Sequence, residues 1–247
     1  MKKKAFEFTG FSLHLTAMVC MLLDHAWATV VPGNLWMTCA GRLAFPIFAF
    51  LLVEGYFHTR SLRRYLLRML LFALISEIPF NLMMGGSVFY PFHQNVLWTF
   101  LMGLGTLRWL DAIRSKPWKP LRIRLAGAGI ILLSAGICLL TMVDYGAPGL
   151  FMVLVFYFFR GSRWYHRLGQ LAFLYWINFF LLSGRDLAFT LMGREWFFPI
   201  QGFALLALIP LWLYRGKQGC HGPPARWCFY WFYPLHILIL WALSGLI

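Results

Sequence analysis

About nine apolar runs, most of them close to twenty residues long and parted by short polar breaks, limit what this chain of 247 residues can fold into. A bilayer core about 30 Å thick is crossed by about 20 helical residues. Inside it, backbone groups find partners only within helices or closed barrels. The runs lie at about 9–31, 35–57, 66–84, 94–113, 122–143, 147–160, 167–183, 197–214 and 228–247. They predict an all-α polytopic integral membrane bundle of about nine transmembrane helices, a single domain over 1–247. The sixth and seventh runs are short and suit tilted or partly re-entrant segments. Segment 184–196, with Arg185, Asp186, Arg194 and Glu195, suits an amphipathic loop or a short interfacial helix.

Charge sets the orientation. Lys2, Lys3 and Lys4 precede the first run, and Arg60, Arg63, Arg64 and Arg68 follow the second. Further basic groups stand at 108–124, 160–167 and 215–226. Every basic residue except Arg42, Arg185 and Arg194 then falls on one side of nine crossings. Positive loops stay in the cytoplasm, which places the N-terminus inside and the C-terminus outside. The net charge of +14 sits in separate loops rather than on one aromatic-flanked face, which excludes a nucleic-acid partner and favours anionic membrane lipids. Ala26-Trp27-Ala28 after an apolar stretch resembles a secretory cleavage site, but Asp24 and His25 interrupt the apolar core that a signal needs. Of five cysteines, Cys20, Cys39 and Cys138 lie in apolar runs. Cys220, His221 and Cys228 lack metal-ligand spacing, so no metal is expected.

Ionisable residues inside the runs carry the functional signal. Burying one costs about 3 kcal/mol on insertion scales, yet four of the eight acids (Asp24, Glu54, Glu77 and Asp144) lie within or at the ends of runs. Each is either a functional group or part of a structural pair between helices. Asp24 and Arg42 lie at similar depth and can pair, each easing the burial of the other. His25, Glu77, His93-Gln94-Asn95, Asp144-Tyr145 and, nearer mid-membrane, His236 suit one polar cavity in the outer half of the membrane. Pro46, Pro79 and Pro234 break helices beside Arg42, Glu77 and His236, as the walls of a hydrated cavity allow. His14 and His25, eleven residues apart, fall within about 20° on one helical face. His14 either lines a path from the inner side or bonds a neighbouring helix. Glu54 and His58 form an (i, i+4) pair near the cytoplasmic end of the second run.

These residues carry a family resemblance. Met21-Leu22-Leu23-Asp24-His25, the block from Gly41-Arg42-Leu43-Ala44-Phe45-Pro46 to Glu54-Gly55-Tyr56-Phe57-His58-Thr59-Arg60, Ser76-Glu77-Ile78-Pro79-Phe80, His93-Gln94-Asn95-Val96, Asp144-Tyr145-Gly146 and Phe232-Tyr233-Pro234-Leu235-His236 resemble the TraX family. The resemblance runs from about residue 11 to the C-terminus. It implies a transmembrane acetyltransferase of the bacterial cell membrane. The name-giving relatives acetylate the N-terminus of a pilin subunit, and a wider superfamily moves acetyl groups from cytoplasmic acetyl-CoA to outer-face acceptors. Under that implication Arg60, Arg63, Arg64 and Arg68, with Glu54 and His58, hold the acetyl-CoA. His25 is the base, Asp24 and Arg42 tune it, and His93 and His236 are rival bases. Arg42, Asn95 or Gln94 meets the oxyanion, Glu77 belongs to the same catalytic set, and Asp144 and Tyr145 complete the pocket. The acceptor is a peptide amine, a glycan or a small molecule. A proton-coupled carrier of a small or lipid-linked molecule is the competing class, since buried carboxylates and kinked helices serve carriers too.

Overall fold

The computed structural model describes residues 7–182, 184–220 and 222–246. Lys2, Lys3, Lys4 and His221 lie outside the described residues. The chain runs α1 (Gly10–Thr29), α2 (Leu35–Gly41), α3 (Ala44–His58), α4 (Leu62–Gly85), α5 (Val96–Arg114), α6 (Pro120–Leu140), α7 (Gly146–Phe158) and α8 (Trp164–Trp176). A π-helical turn (Ile177–Leu181), strands β1 (Asp186–Leu191) and β2 (Arg194–Pro199), a 3-10 helix (Ile200–Ala207), α9 (Leu208–Leu213) and α10 (Pro223–Ser244) complete it.

Local chemistry explains the boundaries. Thr9 and Ser12 close a capping box at the start of α1. Ser61 caps α4, and Asn95 caps α5 by accepting from the Leu97 amide at 3.0 Å. The second expected span is broken at Arg42 and Leu43, between α2 and α3. Pro46 has no N–H to offer the Arg42 carbonyl, so the helix yields there. Pro79 and Pro234 lie inside α4 and α10 without ending them.

Among the described residues, six segments are long and apolar enough to cross a membrane: Gly10–Thr29, Leu35–His58, Leu62–Gly85, Val96–Arg114, Pro120–Leu140 and Pro224–Ser244. Gly146–Phe158 and Ile200–Leu213 are shorter apolar helices, so shortness extends to the eighth expected span as well as the sixth and seventh. Leu13, Ile47, Leu104, Leu150 and Met152 are fully buried in the centre. Leu132, Leu140 and Phe180 turn outward, as suits a lipid-facing exterior.

The chain is mainly helical, as expected, and segment 184–196 corrects only the local expectation of an amphipathic loop or short interfacial helix. It forms part of an antiparallel hairpin in which Phe189 faces Trp196 and Leu191 faces Arg194. The turn residues Met192 and Gly193 both have positive φ, 52° and 72°, the geometry of a two-residue hairpin turn. Aromatic cross-strand pairing and a glycine in the turn outweigh the charges that suggested an amphipathic helix.

Candidate functional site

The end of the bundle where α1 finishes gathers most of the expected polar residues. Asp24 on α1 forms an ion pair with Arg42 at the α2–α3 break, where both side chains are about one-fifth exposed. The Thr38 hydroxyl donates to Asp24 Oδ1 at 2.7 Å and accepts from Arg42 Nη2 at 3.1 Å. Arg42 Nη1 donates to Gln201 Oε1 at 3.3 Å, and Gln201 Nε2 donates to Asn178 Oδ1 at 2.9 Å. Gly41 makes the approach possible. A Cβ there would stand 2.4 Å from the Asp24 Cβ, closer than carbon atoms tolerate.

Asp24 does not bond its neighbour His25, because adjacent helical residues point about 100° apart. His25 pairs instead with His236 of α10. His25 Nδ1 and His236 Nε2 are 2.8 Å apart, and the two rings lie parallel at a centroid distance of 5.0 Å. On its other side, His236 Nδ1 lies 2.7 Å from the Phe232 carbonyl. A carbonyl only accepts, so His236 carries its hydrogen on Nδ1 and, when neutral, offers a lone pair at Nε2. His25 Nδ1 must then be the donor. The Nε2 of neutral His25 is left as a proton acceptor.

A second group stands alongside. Asn95 Nδ2 bonds Glu77 Oε2, and the Trp98 indole donates to the same oxygen at 2.9 Å. Asn95 Nδ2 also donates to the Ala73 carbonyl at 2.9 Å. Both amide hydrogens of Asn95 are thereby committed, which leaves it none for an oxyanion. Gln94 Nε2 donates to the Pro91 carbonyl at 3.0 Å. His93 Nε2 lies 3.2 Å from Asp144 Oδ1, and this bond raises the His93 pKa from 6.5 against the opposing effect of burial. The Asp144 carboxylate and the more distant Glu77 add to the rise. Tyr145, with φ of 59°, opens α7 and stacks on Phe45 at 4.0 Å.

The large cavity lies elsewhere than expected. It holds about 370 Å³ and reaches from the end where α1 begins into the bundle. Gly10, His58, Thr59, Arg68, Gln218 and Arg226 line its mouth, and Met21, Val96, Phe100 and Tyr233 its deep end. The polar groups around His25 do not line it. They begin one helical turn further on, since Met21 and Phe232 on the wall precede His25 and His236 by four residues. The physical reason is that most of those groups bond one another and pack closed, with Glu77 Oε1 left buried and unpaired among them, whereas apolar walls leave space between them.

Of the expected donor-binding residues, Arg68, Glu54 and His58 line this cavity, and Arg60, Arg63 and Arg64 are exposed at the same end without lining it. Glu54 pairs with Arg160 Nε at 2.7 Å, and His58 Nδ1 meets the Glu54 carbonyl at 2.8 Å. His14 lines the cavity and stacks on Phe229 at 4.4 Å. The sequence reading missed Thr38, Gln201, Asn178 and Trp98. Three of them are polar groups inside apolar runs, the signal that selected the charged residues. Among the described residues, no three His, Cys, Asp or Glu side chains gather as metal ligands would.

Residues 10–244 match the family described as TraX protein. The chain is 30% identical over 246 residues to "Probable fimbrial assembly protein FimC, serogroup H1" of Dichelobacter nodosus, covering 95% of each chain. It is 31% identical over 149 residues to "Protein TraX" of Escherichia coli (strain K12), covering 56% of this chain and 51% of that one. No solved structure matches it significantly. A family match over nearly the whole length and a full-length relative at this identity agree: the chain belongs to the TraX protein family.

Proposed function

We propose that this protein is a transmembrane acetyltransferase that takes an acetyl group from acetyl-CoA in the cytoplasm and gives it to an amine at the outer face of a bacterial cell membrane. The His25–His236 pair carries the reading. It leaves His25 Nε2, when that ring is neutral, as a defined proton acceptor one helical turn beyond the end of a cavity with a basic mouth. The positive-inside rule puts that mouth in the cytoplasm, with nine crossings, the N-terminus in and the C-terminus out.

In the reaction the acceptor amine attacks the thioester carbonyl carbon and gives its proton to His25 Nε2. The new C–N bond forms as the C–S bond breaks, and the thiolate leaves and takes up a proton. Arg42 supplies the oxyanion charge. Four of its five N–H groups meet Thr38, Asp24 and Gln201, which leaves one Nη1 hydrogen uncommitted. The fimbrial assembly in one relative's name favours the amino terminus of a pilus subunit as the acceptor.

The test uses the purified full chain in micelles, labelled acetyl-CoA and a pilin-derived peptide with a free amino terminus, with mass spectrometry of the product. Acetylation of the peptide is expected, and His25→Ala should lower turnover by about 100-fold or more. Unchanged turnover in that variant removes His25 from the mechanism. Wild-type protein that neither binds nor consumes acetyl-CoA overturns the enzyme and favours the carrier. For topology, Thr190→Cys in a background without native cysteines should react with an impermeant reagent in whole cells. Reaction only after permeabilisation would reverse the orientation.

A further inference from the structure

We infer that His14 and Arg68 form a recognition site, inside the cavity, for the amide groups of a pantetheine-type arm that carries the acetyl thioester. The inference rests on the acetyl-transfer reading and names the part of the donor that the cavity holds.

Two buried nitrogens carry it. His14 Nδ1 and Arg68 Nε are both buried without a hydrogen-bond partner, and both residues line the same cavity. Arg68, on α4, stands at the cavity mouth, and His14, on α1, lies one helical turn past Gly10. A buried polar atom left unpaired is costly and uncommon, so two in one cavity mark a place where bound groups complete the bonding. Neither neighbour does so. His14 is held by stacking on Phe229, and Arg68 stands 6.0 Å from the Tyr65 ring centroid.

The remaining wall selects the ligand. Met21, Phe48, Leu51, Phe100 and Phe229 are apolar and suit methylene groups. Arg68 Nε–H needs an acceptor, and His14 Nδ1 takes either role. A secondary amide offers one carbonyl and one N–H, so a chain of methylenes broken by amides satisfies both atoms and the walls together. A fatty acyl chain satisfies the walls only and leaves both nitrogens unpaired. Arg226 beside the mouth suits the anionic groups that accompany such an arm. Two donors share this chemistry: free acetyl-CoA, and the acetylated prosthetic arm of a carrier protein.

The experiment compares donors on the full-length protein in micelles: acetyl-CoA, acetylated carrier protein, and S-ethyl thioacetate, which has no amide. His14→Leu and Arg68→Met are each expected to raise the acetyl-CoA KM about tenfold while kcat changes less than about twofold. The preference for acetyl-CoA over S-ethyl thioacetate should shrink by the same factor, a change that a purely structural role would not make. His14→Gln, which keeps a polar tip, should stay near the wild type. If the carrier protein is the donor, the same KM effects appear with it instead. Unchanged KM and unchanged donor preference in both variants overturn the site while leaving the acetyltransferase intact. Should the leucine variant fail to fold, protection of the wild type and of His14→Gln from thermal unfolding by coenzyme A supports the site. Equal protection of Arg68→Met overturns it. Coenzyme A binding without turnover sinks the catalytic reading alone.

Discussion

Where α1 ends, Asp24, Arg42, Thr38, Gln201 and Asn178 bond one another in a closed chain. Nearer its start, His14 and Arg68 meet an apolar cavity with buried nitrogens that have no partner. The two regions spend polar groups differently. A network that forms without ligand, with one Arg42 hydrogen to spare, fixes a charge and a geometry in advance, which is what the proposed transfer needs. A cavity with orphaned groups gains its bonds only when something enters. The first region therefore contributes to the stability of the fold, and the second, under the proposed donor site, to affinity.

Arginine truncation should separate them. Arg42→Met leaves the Asp24 carboxylate with Thr38 alone, and breaking a buried pair costs about 3–5 kcal/mol. Arg68→Met removes a guanidinium whose Nε has no partner and keeps an apolar stem, so unfolding free energy should change by less than about 1 kcal/mol. Denaturant unfolding in mixed micelles measures both. Equal losses would erase the distinction between the two regions.

Glycine substitutions sharpen the same contrast on a smaller scale. Gly41→Ala pushes a methyl group against Asp24 and should cost about 1–3 kcal/mol, with a fall in the proposed acetylation as the ion pair shifts. In Gly105→Ala the new methyl group has open space around it, with nothing within 4 Å, and the helix should gain about 0.5–1 kcal/mol. A Gly41→Ala protein as stable and active as the wild type would mean that Asp24 and Arg42 need no close approach.

Much of this was legible in the chain. The long apolar runs and the pairing of Asp24 with Arg42 follow from burial cost and helix depth, and both are present. Pair partners set by tertiary packing were not legible. Nothing in the spacing says that His25 turns to His236 rather than to Asp24, because α1 and α10 lie 211 positions apart at that contact. The cavity was misplaced for a related reason. Polar residues mark where partners converge, and converging partners close the space between them. The hairpin was missed because its turn, Met192-Gly193, carries only one of the two residues that favour positive φ.

The smallest effect tests whether the satisfied region extends as far as His93. The Asp144 bond raises the His93 pKa above its ordinary 6.5, so the folded protein holds this proton more tightly than the unfolded chain. The stabilisation is fully present below pH 6.5 and fades as the pH rises through the raised value. Both side chains are close to one-third exposed, which limits the effect to about 0.5–1 kcal/mol. Thermal unfolding between about pH 5.5 and 8.5 should therefore show stability declining towards the alkaline end. His93→Gln should flatten that slope, because glutamine keeps a donor for Asp144 but takes up no proton. An identical slope in the variant would place the titrating group elsewhere and confine the preorganised network to Asp24, Arg42 and their direct partners.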